Sequence, residues 1–298
     1  KLVGKVRLHC IDRLGSHRSW WPHDRDRYGV PSWVQSTVDP VNDSADATGD
    51  ATYGDAFADV YDEWYADVTD VPSTVDTLAR LAGGGDLLEL GVGTGRIAVP
   101  LARRLSGRAR VHGVDSSGAM LDVWRAKLER DPAAAARSVV IHGDMAGRVD
   151  GGPFAVVFCT FNTFFNLPSH EAQITCLRNS AAVLAPGGAV LLELAVFHET
   201  DDMTIRSTTE TIRRRDGSVV TSTGSIDPAS KTAQGEFTDP SGRKRSWSIR
   251  YATFAMVMEM SAAAGLVCTD RWEDFTRRPF LSSSARQVLV LRRRLRVK

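Results

Sequence analysis

Between about residues 53 and 197 the chain alternates two hydrophobic patterns. Short runs rich in Val, Leu and Ile are typical of buried strands, and longer stretches with helix-like spacing separate them. The strand-like runs are DLLELGV, ARVHGVD, SVVIHGD, FAVVFCT and GAVLLELAVF. This alternation predicts an α/β doubly wound fold, in which a parallel sheet carries helices on both faces.

The pattern changes after Phe197. Polar segments rich in Thr, Arg and Ser follow, and the pairs DG, DP and SG between them are turn signals. We therefore expect a small antiparallel sheet inserted at about residues 200–252. An apolar helix, FAMVMEMSAAAGL, and two further strands, VCTDRWEDF and ARQVLVLRR, are predicted to complete the fold.

The first fifty residues follow neither a strand period nor a helix period. They mix Trp, His, Arg and Pro and then become small and acidic. We predict an irregular N-terminal extension over residues 1–50 and one folded domain over residues 51–298.

Composition excludes several classes of protein. Hydrophobic residues make up 43% of the 298-residue chain, enough for a substantial core, and the net charge of +1 favours neither nucleic acid nor an acidic membrane. The four cysteines form no CxxC pair, which argues against a zinc site or a disulfide framework and for a reducing compartment. No apolar run reaches the roughly 18 residues of a membrane span, so we expect a cytoplasmic protein without a membrane partner. We also expect no metal and no nucleic-acid partner. The sequence leaves a homodimer open.

A glycine loop carries the first specific signal. Gly91, Gly93 and Gly95 follow the first predicted strand at alternate positions. Glycine is favoured where a backbone turns sharply or a ligand approaches it closely. The dinucleotide fingerprint G-x-G-x-x-G/A requires a small residue where this chain has Arg96, which counts against an NAD-binding oxidoreductase but leaves it as an alternative.

Three acids near strand ends suggest what the loop binds. Glu89 precedes the loop by two residues, where a carboxylate suits a ligand with an ammonium or sulfonium charge. Asp115 ends the next strand at the spacing typical of ribose binding. Asp144 could accept from an adenine amino group while the Met145 N–H reaches a ring nitrogen. The alternatives are a salt bridge for Glu89, a helix cap for Asp115 and a turn for Asp144.

Four motifs in this order resemble the class I S-adenosylmethionine-dependent methyltransferases. They are ELGVGTG, VDxSxxM from Asp115 to Met120, GDM from Gly143 to Met145, and PGG from Pro186 to Gly188. The resemblance covers residues 53–294 and implies a Rossmann-like seven-stranded sheet and S-adenosylmethionine as cofactor. The cofactor-binding residues it implies are Tyr61, Glu89, Gly91, Gly93, Gly95, Asp115, Ser116, Met120, Asp144, Met145, Phe161 and Asn162.

Two longer segments are similar to a bacterial subgroup that methylates small molecules, some members of which N-methylate amino sugars. They are FNTFFNLPSHEAQITCLRNSAAVLAPGG and RYATFAMVMEMSAAAGLVCTDRWEDFTRRPF. By this resemblance the helix ADVYDEWY brings Tyr61 to the cofactor and Tyr65 to the substrate pocket. Phe164 and His198 are the other expected substrate contacts, although core packing competes for Phe164, as it does for Met120.

The expected chemistry is methyl transfer to a nitrogen or oxygen of a small organic molecule, in natural-product or sugar metabolism. A hydroxyl acceptor needs a base, for which His198 and His170 are candidates, whereas a neutral amine needs none. His198 is therefore the candidate catalytic residue. A non-catalytic protein that binds S-adenosylmethionine is a second alternative, beside the oxidoreductase.

Overall fold

The computed structural model describes residues 53–66, 69–214 and 217–294. Eight helices and eleven strands occur in these ranges. The helices are α1 Tyr53–Phe57, α2 Tyr61–Trp64, α3 Val71–Ala82, α4 Ala98–Arg104, α5 Gly118–Glu129, α6 Pro132–Ala135, α7 His170–Ala182 and α8 Phe254–Ala263. The strands are β1 Leu87–Leu90, β2 Val111–Asp115, β3 Ser138–His142, β4 Phe154–Cys159, β5 Leu184–Ala195, β6 Arg206–Arg213, β7 Val219–Asp227, β8 Thr232–Thr238, β9 Lys244–Arg250, β10 Leu266–Trp272 and β11 Arg286–Arg293.

Seven strands form one sheet in the order β10-β11-β5-β4-β1-β2-β3. Strands β1 to β5 pair in parallel, and β11 runs antiparallel to both of its neighbours, β5 and β10. The order reverses after β1, so β1 and β4 meet at the switch point where open α/β sheets bind ligands. The predicted doubly wound sheet is confirmed.

Both faces of this sheet are covered. Leu88 and Leu90 of β1 point into a core with α7 and α8, whereas Leu87 points into a second core with α3, α4 and α5. All four residues of β1 are buried. Burial on both faces explains why the strands read as continuous apolar runs in the sequence.

Helix ends follow the local sequence. The Asp70 side chain accepts a hydrogen bond from Ser73 N–H at the start of α3, Pro72 lies in the first turn, and Gly83 ends the helix in the left-handed conformation. At α5 the capping residue is Ser117, whose Oγ accepts from Met120 N–H at 3.1 Å. These caps fix where α3 and α5 begin beside the sheet.

Strands β6 to β9 form the inserted antiparallel sheet that the polar segments predict. One face of this sheet packs on α1 and α5 through a small core of Phe57, Met120, Ile212, Val220 and Phe237. The inserted sheet and the helices α1 and α2 therefore pack together, and Asp62 of α2 accepts a hydrogen bond from the Thr94 hydroxyl of the glycine loop. We call this assembly the roof.

One predicted element differs. The pattern of DAFADVYDEWY is typical of a helix, whereas the structure has two short helices there, α1 and α2, separated by a turn. Asp59 in that turn forms an ion pair with Arg245 of β9, a residue that is 3% exposed. A contact between residues so far apart in the chain overrides local helix propensity.

Residues 1–50, predicted to be an extension, lie outside the described residues.

Among the helices of the described ranges, none has both the length and the apolar character of a membrane span.

Candidate active site

The glycine loop turns at the carboxyl end of β1. Gly91, Gly93 and Gly95 all have positive φ. A Cβ at Gly91 would lie 2.2 Å from Thr163 Cγ2, and a Cβ at Gly95 would lie 2.2 Å from Trp124, whereas Gly93 faces open space apart from Met120 Sδ at 3.9 Å. Packing alone therefore requires glycine at positions 91 and 95. Position 93 has no close neighbour, so space is left there beside Met120.

Asp115 links the loop to α5. Its two carboxylate oxygens accept hydrogen bonds from Gly93 N–H at 2.8 Å and Ser117 N–H at 2.9 Å. Burial raises the pKa of this half-buried carboxyl, and the backbone donors oppose that shift. Each oxygen has a second lone pair, so the carboxylate can also accept from the two hydroxyls of a ribose. Ser117 is the residue whose side chain caps α5. Asp115 holds the glycine loop through its hydrogen bond from Gly93 N–H.

Glu89 lies one residue before the end of β1 and is 2% exposed. Its Oε2 is buried without a hydrogen-bond partner in the described part of the chain. Burial raises the pKa of Glu89 well above the ordinary value, and the nearby positive charge of Arg96 opposes the shift. The salt bridge considered from sequence is therefore not formed, and an acceptor oxygen is left for a ligand.

Arg96 is a site residue that sequence reasoning missed. Its guanidinium lies over the Phe161 ring at 5.6 Å, and the Tyr61 hydroxyl forms a hydrogen bond with it. Its Nε and Nη1 atoms are buried without a partner among the described residues. The sequence signal was its place directly after the glycine loop, where it counted only against the dinucleotide fingerprint.

Three aromatic rings form a wall beside Arg96. The Tyr61 and Tyr65 centroids are 4.8 Å apart, and those of Tyr65 and Phe161 are 5.5 Å apart. Tyr53 of α1 donates a hydrogen bond from its hydroxyl to that of Tyr65 at 3.3 Å. Burial raises the pKa of Tyr61 to about 12 and raises that of Tyr65. These phenols stay protonated at neutral pH.

Phe161 is held in an unusual backbone turn. Phe161 and Asn162 both have positive φ, at 50° and 62°, although neither is a glycine. Glu193 of β5 accepts from Phe161 N–H at 2.9 Å, and Asn162 Oδ1 accepts from Ala195 N–H. Such strained turns persist only where the surroundings fix them. Glu193 was missed in the sequence, although an acid inside the apolar run LLELAVF was the available signal.

Asn162 has a structural role that the sequence did not predict, and its cofactor-binding role stays a prediction. Its side-chain oxygen is engaged by the β5 backbone, so that oxygen ties β4 to β5. The Phe161 ring, by contrast, lies against Tyr65 and Arg96.

The remaining predicted cofactor residues lie around the same loop. Asp144 is exposed and accepts from Ala146 N–H at 2.8 Å, which closes a turn. Met145 Sδ lies 3.9 Å from the Cβ position of Gly91, and Met120 packs beneath α1 at 2% exposure. Ser116 is exposed, next to Asp115. Their binding roles stay predictions.

Two expected substrate contacts, Phe164 and His198, stay predictions, and their surroundings differ. Phe164 is fully buried and packs on Phe165 with centroids 6.4 Å apart, so the core interpretation fits it better. His198 is exposed beyond the end of β5. Neither side chain belongs to the aromatic wall of Tyr61, Tyr65 and Phe161.

Comparisons with known proteins agree with this geometry. Residues 87–188 match the family described as a methyltransferase domain. The chain is 31% identical over 224 residues to the cypemycin N-terminal methyltransferase of a Streptomyces species, covering 72% of this chain and 85% of that protein. It is 35% identical to the CcbJ methyltransferase of Streptomyces caelestis, with a TM-score of 0.74 and coverage of 82% of this chain and 98% of that one.

A third similarity concerns the fold. CalS10, an amino pentose methyltransferase of Micromonospora echinaspora solved with S-adenosylmethionine bound, has a TM-score of 0.56 at 21% identity, over 75% of this chain and 90% of that one.

The free oxygen of Glu89 fits the ammonium of that cofactor, and the free lone pairs of Asp115 fit its ribose. These findings replace the NAD-binding oxidoreductase alternative. The chain belongs to the S-adenosylmethionine-dependent methyltransferases that act on small molecules.

Proposed function

We propose that this enzyme methylates an amine nitrogen of a small organic molecule. The observation that carries the proposal is the wall of Tyr61, Tyr65 and Phe161, which offers no side chain suited to deprotonating a hydroxyl. A neutral amine has a lone pair and attacks without prior proton removal, whereas a hydroxyl requires a general base.

Among the described residues, the two phenols, two buried glutamates and His198 are unsuited to that task. The phenols have raised pKa values and hold their protons. Glu193 already accepts from Phe161 N–H, and Glu89 lies buried under the loop. His198, the candidate base from sequence, is exposed beyond β5. This arrangement supports nitrogen over oxygen as the acceptor atom.

Methyl transfer is an in-line displacement, for which the cofactor supplies a methyl group activated by its sulfonium. The nitrogen–carbon bond forms as the sulfur–carbon bond breaks, and the positive charge passes from sulfur to nitrogen. The new ammonium then loses its proton to solvent. On this proposal the aromatic wall excludes water and aligns the amine with the methyl group, which lowers the barrier by positioning.

The relatives support the same choice. The curated relative is an N-terminal methyltransferase, and the structural neighbour CalS10 acts on an amino pentose. Both names point to amines in natural products. We propose the same class here, either an amino sugar or a peptide amino terminus. The homodimer, the absence of a nucleic-acid partner and the cytoplasmic location stay predictions.

Matched acceptors test the choice of atom. An amino sugar and its hydroxyl counterpart, and a short peptide with a free or acetylated amino terminus, are assayed by release of S-adenosylhomocysteine. Only the free amines should react, and the rate should rise with pH toward the acceptor's own pKa. Turnover of the hydroxyl sugar alone would overturn the proposal. Binding of the cofactor without turnover of any acceptor would favour the non-catalytic alternative.

His198→Ala separates the two chemistries within the protein, with His170→Ala as the matched control. If the acceptor is an amine, both variants should keep turnover within about threefold of the wild type, because neither imidazole removes a proton. A loss of about a thousandfold in turnover with unchanged cofactor binding, in His198→Ala alone, would identify a general base and a hydroxyl acceptor.

A further inference from the structure

Glu193 is a buried acid in an interior strand of the main sheet. Its neighbours in β5, Leu192 and Leu194, are fully buried in the core with α7 and α8, and Glu193 itself is 5% exposed. Burial raises the pKa of its carboxyl, so the charged form is disfavoured at this position. An apolar side chain of similar volume is less costly to bury than a charge. Stability alone therefore does not account for an acid in this strand.

The acid holds the turn that carries Phe161. Its Oε2 accepts a hydrogen bond from Phe161 N–H at 2.9 Å, whereas its Oε1 lies 3.9 Å from Arg286. The backbone carbonyl of Glu193 also accepts from Asn162 N–H, at 3.1 Å. One residue of β5 therefore binds two successive N–H groups of the turn, one with its side chain and one with its backbone.

The backbone conformation of this turn depends on such support. Phe161 and Asn162 lie in the left-handed region, with φ of 50° and 62°, which bulky side chains rarely adopt. A conformation of this kind persists only where the surrounding contacts fix it. Without the acceptor from Glu193, we expect the backbone at Phe161 to relax toward negative φ. The ring would then leave its place against Tyr65 and Arg96.

We infer that Glu193 is a positioning residue for methyl transfer, which acts by fixing the Phe161 ring in the aromatic wall. The inference rests on the proposed role of that wall in aligning the acceptor with the methyl group. Alignment is sensitive to small shifts, since a misplacement of about 1 Å can cost about a hundredfold in rate. Glu193 thus affects the reaction through Phe161 and not as a base or a ligand contact.

Three variants separate the reach of the Glu193 side chain from its charge. Glu193→Met fills the space without an acceptor. Glu193→Gln loses the charge but keeps an oxygen that can accept from Phe161 N–H, whereas Glu193→Asp keeps the charge and is one carbon too short. Gln287→Met is the matched control, because Gln287 is a 1% exposed polar residue of the neighbouring strand β11 that accepts from Arg271.

A double-mutant cycle shows whether Glu193 acts through the ring. Phe161→Leu is made alone and together with Glu193→Met, and the two effects on kcat are compared. For each variant, kcat and the acceptor KM are measured with the acceptor that the wild type methylates. Calorimetry gives the affinity for S-adenosylhomocysteine, and melting temperatures show whether the variant is folded.

Glu193→Met and Glu193→Asp should lower kcat by about tenfold to a hundredfold. The acceptor KM and the affinity for S-adenosylhomocysteine should change by less than about threefold. Glu193→Gln should keep kcat within about threefold of the wild type, as should Gln287→Met. In the Phe161→Leu background, Glu193→Met should change kcat by less than about twofold, because the ring through which Glu193 acts is gone.

Two results would overturn the inference. One is a pair of additive losses in the double variant. The other is a larger loss of kcat in Glu193→Gln than in Glu193→Asp, which would show that the charge matters and the hydrogen bond to Phe161 does not; this comparison remains decisive if Glu193→Met fails to fold. Methylation of a hydroxyl by the wild type would overturn the proposed function, and the same variants assayed with that hydroxyl acceptor would still decide this inference.

Discussion

Asp115 and Glu89 lie at the ends of neighbouring strands, and their surroundings differ. Asp115 is half-buried, and both of its oxygens are held by backbone N–H groups of Gly93 and Ser117. Glu89 is almost fully buried, and Oε2 has no partner in the described chain. Burial raises the pKa of both carboxyls, but only Asp115 has backbone donors that oppose the shift.

The difference separates two ways of preparing a binding site. Asp115 is oriented before any ligand arrives, because the loop that it serves fixes its position. Burial disfavours the charged form of Glu89, and on the proposed contact with the ligand's ammonium that cost would be relieved on binding. Replacing Asp115 should therefore damage loop and ligand together, whereas replacing Glu89 should weaken binding and stabilise the protein without its ligand.

The largest effect is expected for Asp115→Ala. This change removes the acceptor for two ribose hydroxyls and leaves the N–H groups of Gly93 and Ser117 unpaired, at about 1–3 kcal/mol for each buried polar group affected. Calorimetry should show at least tenfold weaker binding of S-adenosylhomocysteine. Asp115→Asn, which keeps one acceptor oxygen, should lose less. Unchanged affinity in the alanine variant would exclude a role in ribose binding.

Glu89→Gln should change binding and stability in opposite directions. Loss of the charge should weaken S-adenosylhomocysteine binding by about tenfold. At neutral pH the melting temperature of the ligand-free protein should rise by about 2–4 °C, because an uncharged amide is less costly to bury than a carboxylate. Glu129→Gln, at an exposed position of α5, is the control. A lower melting temperature in Glu89→Gln would show that the carboxylate is stabilising.

The pH dependence follows from the same carboxyl. Because its pKa in the folded protein lies above the ordinary value of 4.5, the folded state holds the proton more tightly than the unfolded state. The associated stability is fully present below pH 4.5 and is lost as the pH rises through the folded-state pKa. The melting-temperature difference between Glu89→Gln and the wild type should therefore grow over that window. A difference independent of pH would contradict the raised pKa.

In the same window, cofactor affinity of the wild type should fall as the pH is lowered, because protonated Glu89 no longer attracts an ammonium. Glu89→Gln should show a flatter profile. Isothermal titration calorimetry, at pH values about one unit apart between pH 5 and 8, measures the affinity profile of the wild type and that of Glu89→Gln.

The smallest effect is expected for Asp144→Ala. Asp144 is exposed, and one of its oxygens already closes a turn with Ala146 N–H. A hydrogen bond to an adenine amino group at such a site contributes about two- to fivefold in affinity. Asp150→Ala is a matched control on the same exposed loop. No change in affinity would leave Asp144 with the turn alone.

The sequence predicts the main sheet well because each of its strands is specified locally. Apolar runs, the glycine loop and the DG, DP and SG turns each act over a few residues, and the structure confirms the strands and the inserted sheet. The capping of α3 by Asp70 and Gly83 is equally local. Prediction from the sequence succeeds where the residues that carry a pattern lie close in the chain to the element that they specify.

The roof and the wall depend on distant contacts. The ion pair of Asp59 with Arg245 spans 186 residues and breaks the predicted first helix in two. The bond from Phe161 N–H to Glu193 spans 32 residues and decides where the Phe161 ring points. No period in the sequence encodes such pairs, which is why Arg96 and Glu193 were missed.

Gly95 bears on how such loops change in evolution. Trp124, which is fully buried, lies where a side chain at Gly95 would have to go. Selection on folding alone would therefore preserve this glycine in a descendant that had lost its enzymatic activity. Gly93 has no such neighbour and is constrained for folding only by its positive φ, so substitution of Gly93 is the better sign that a related chain no longer holds the cofactor.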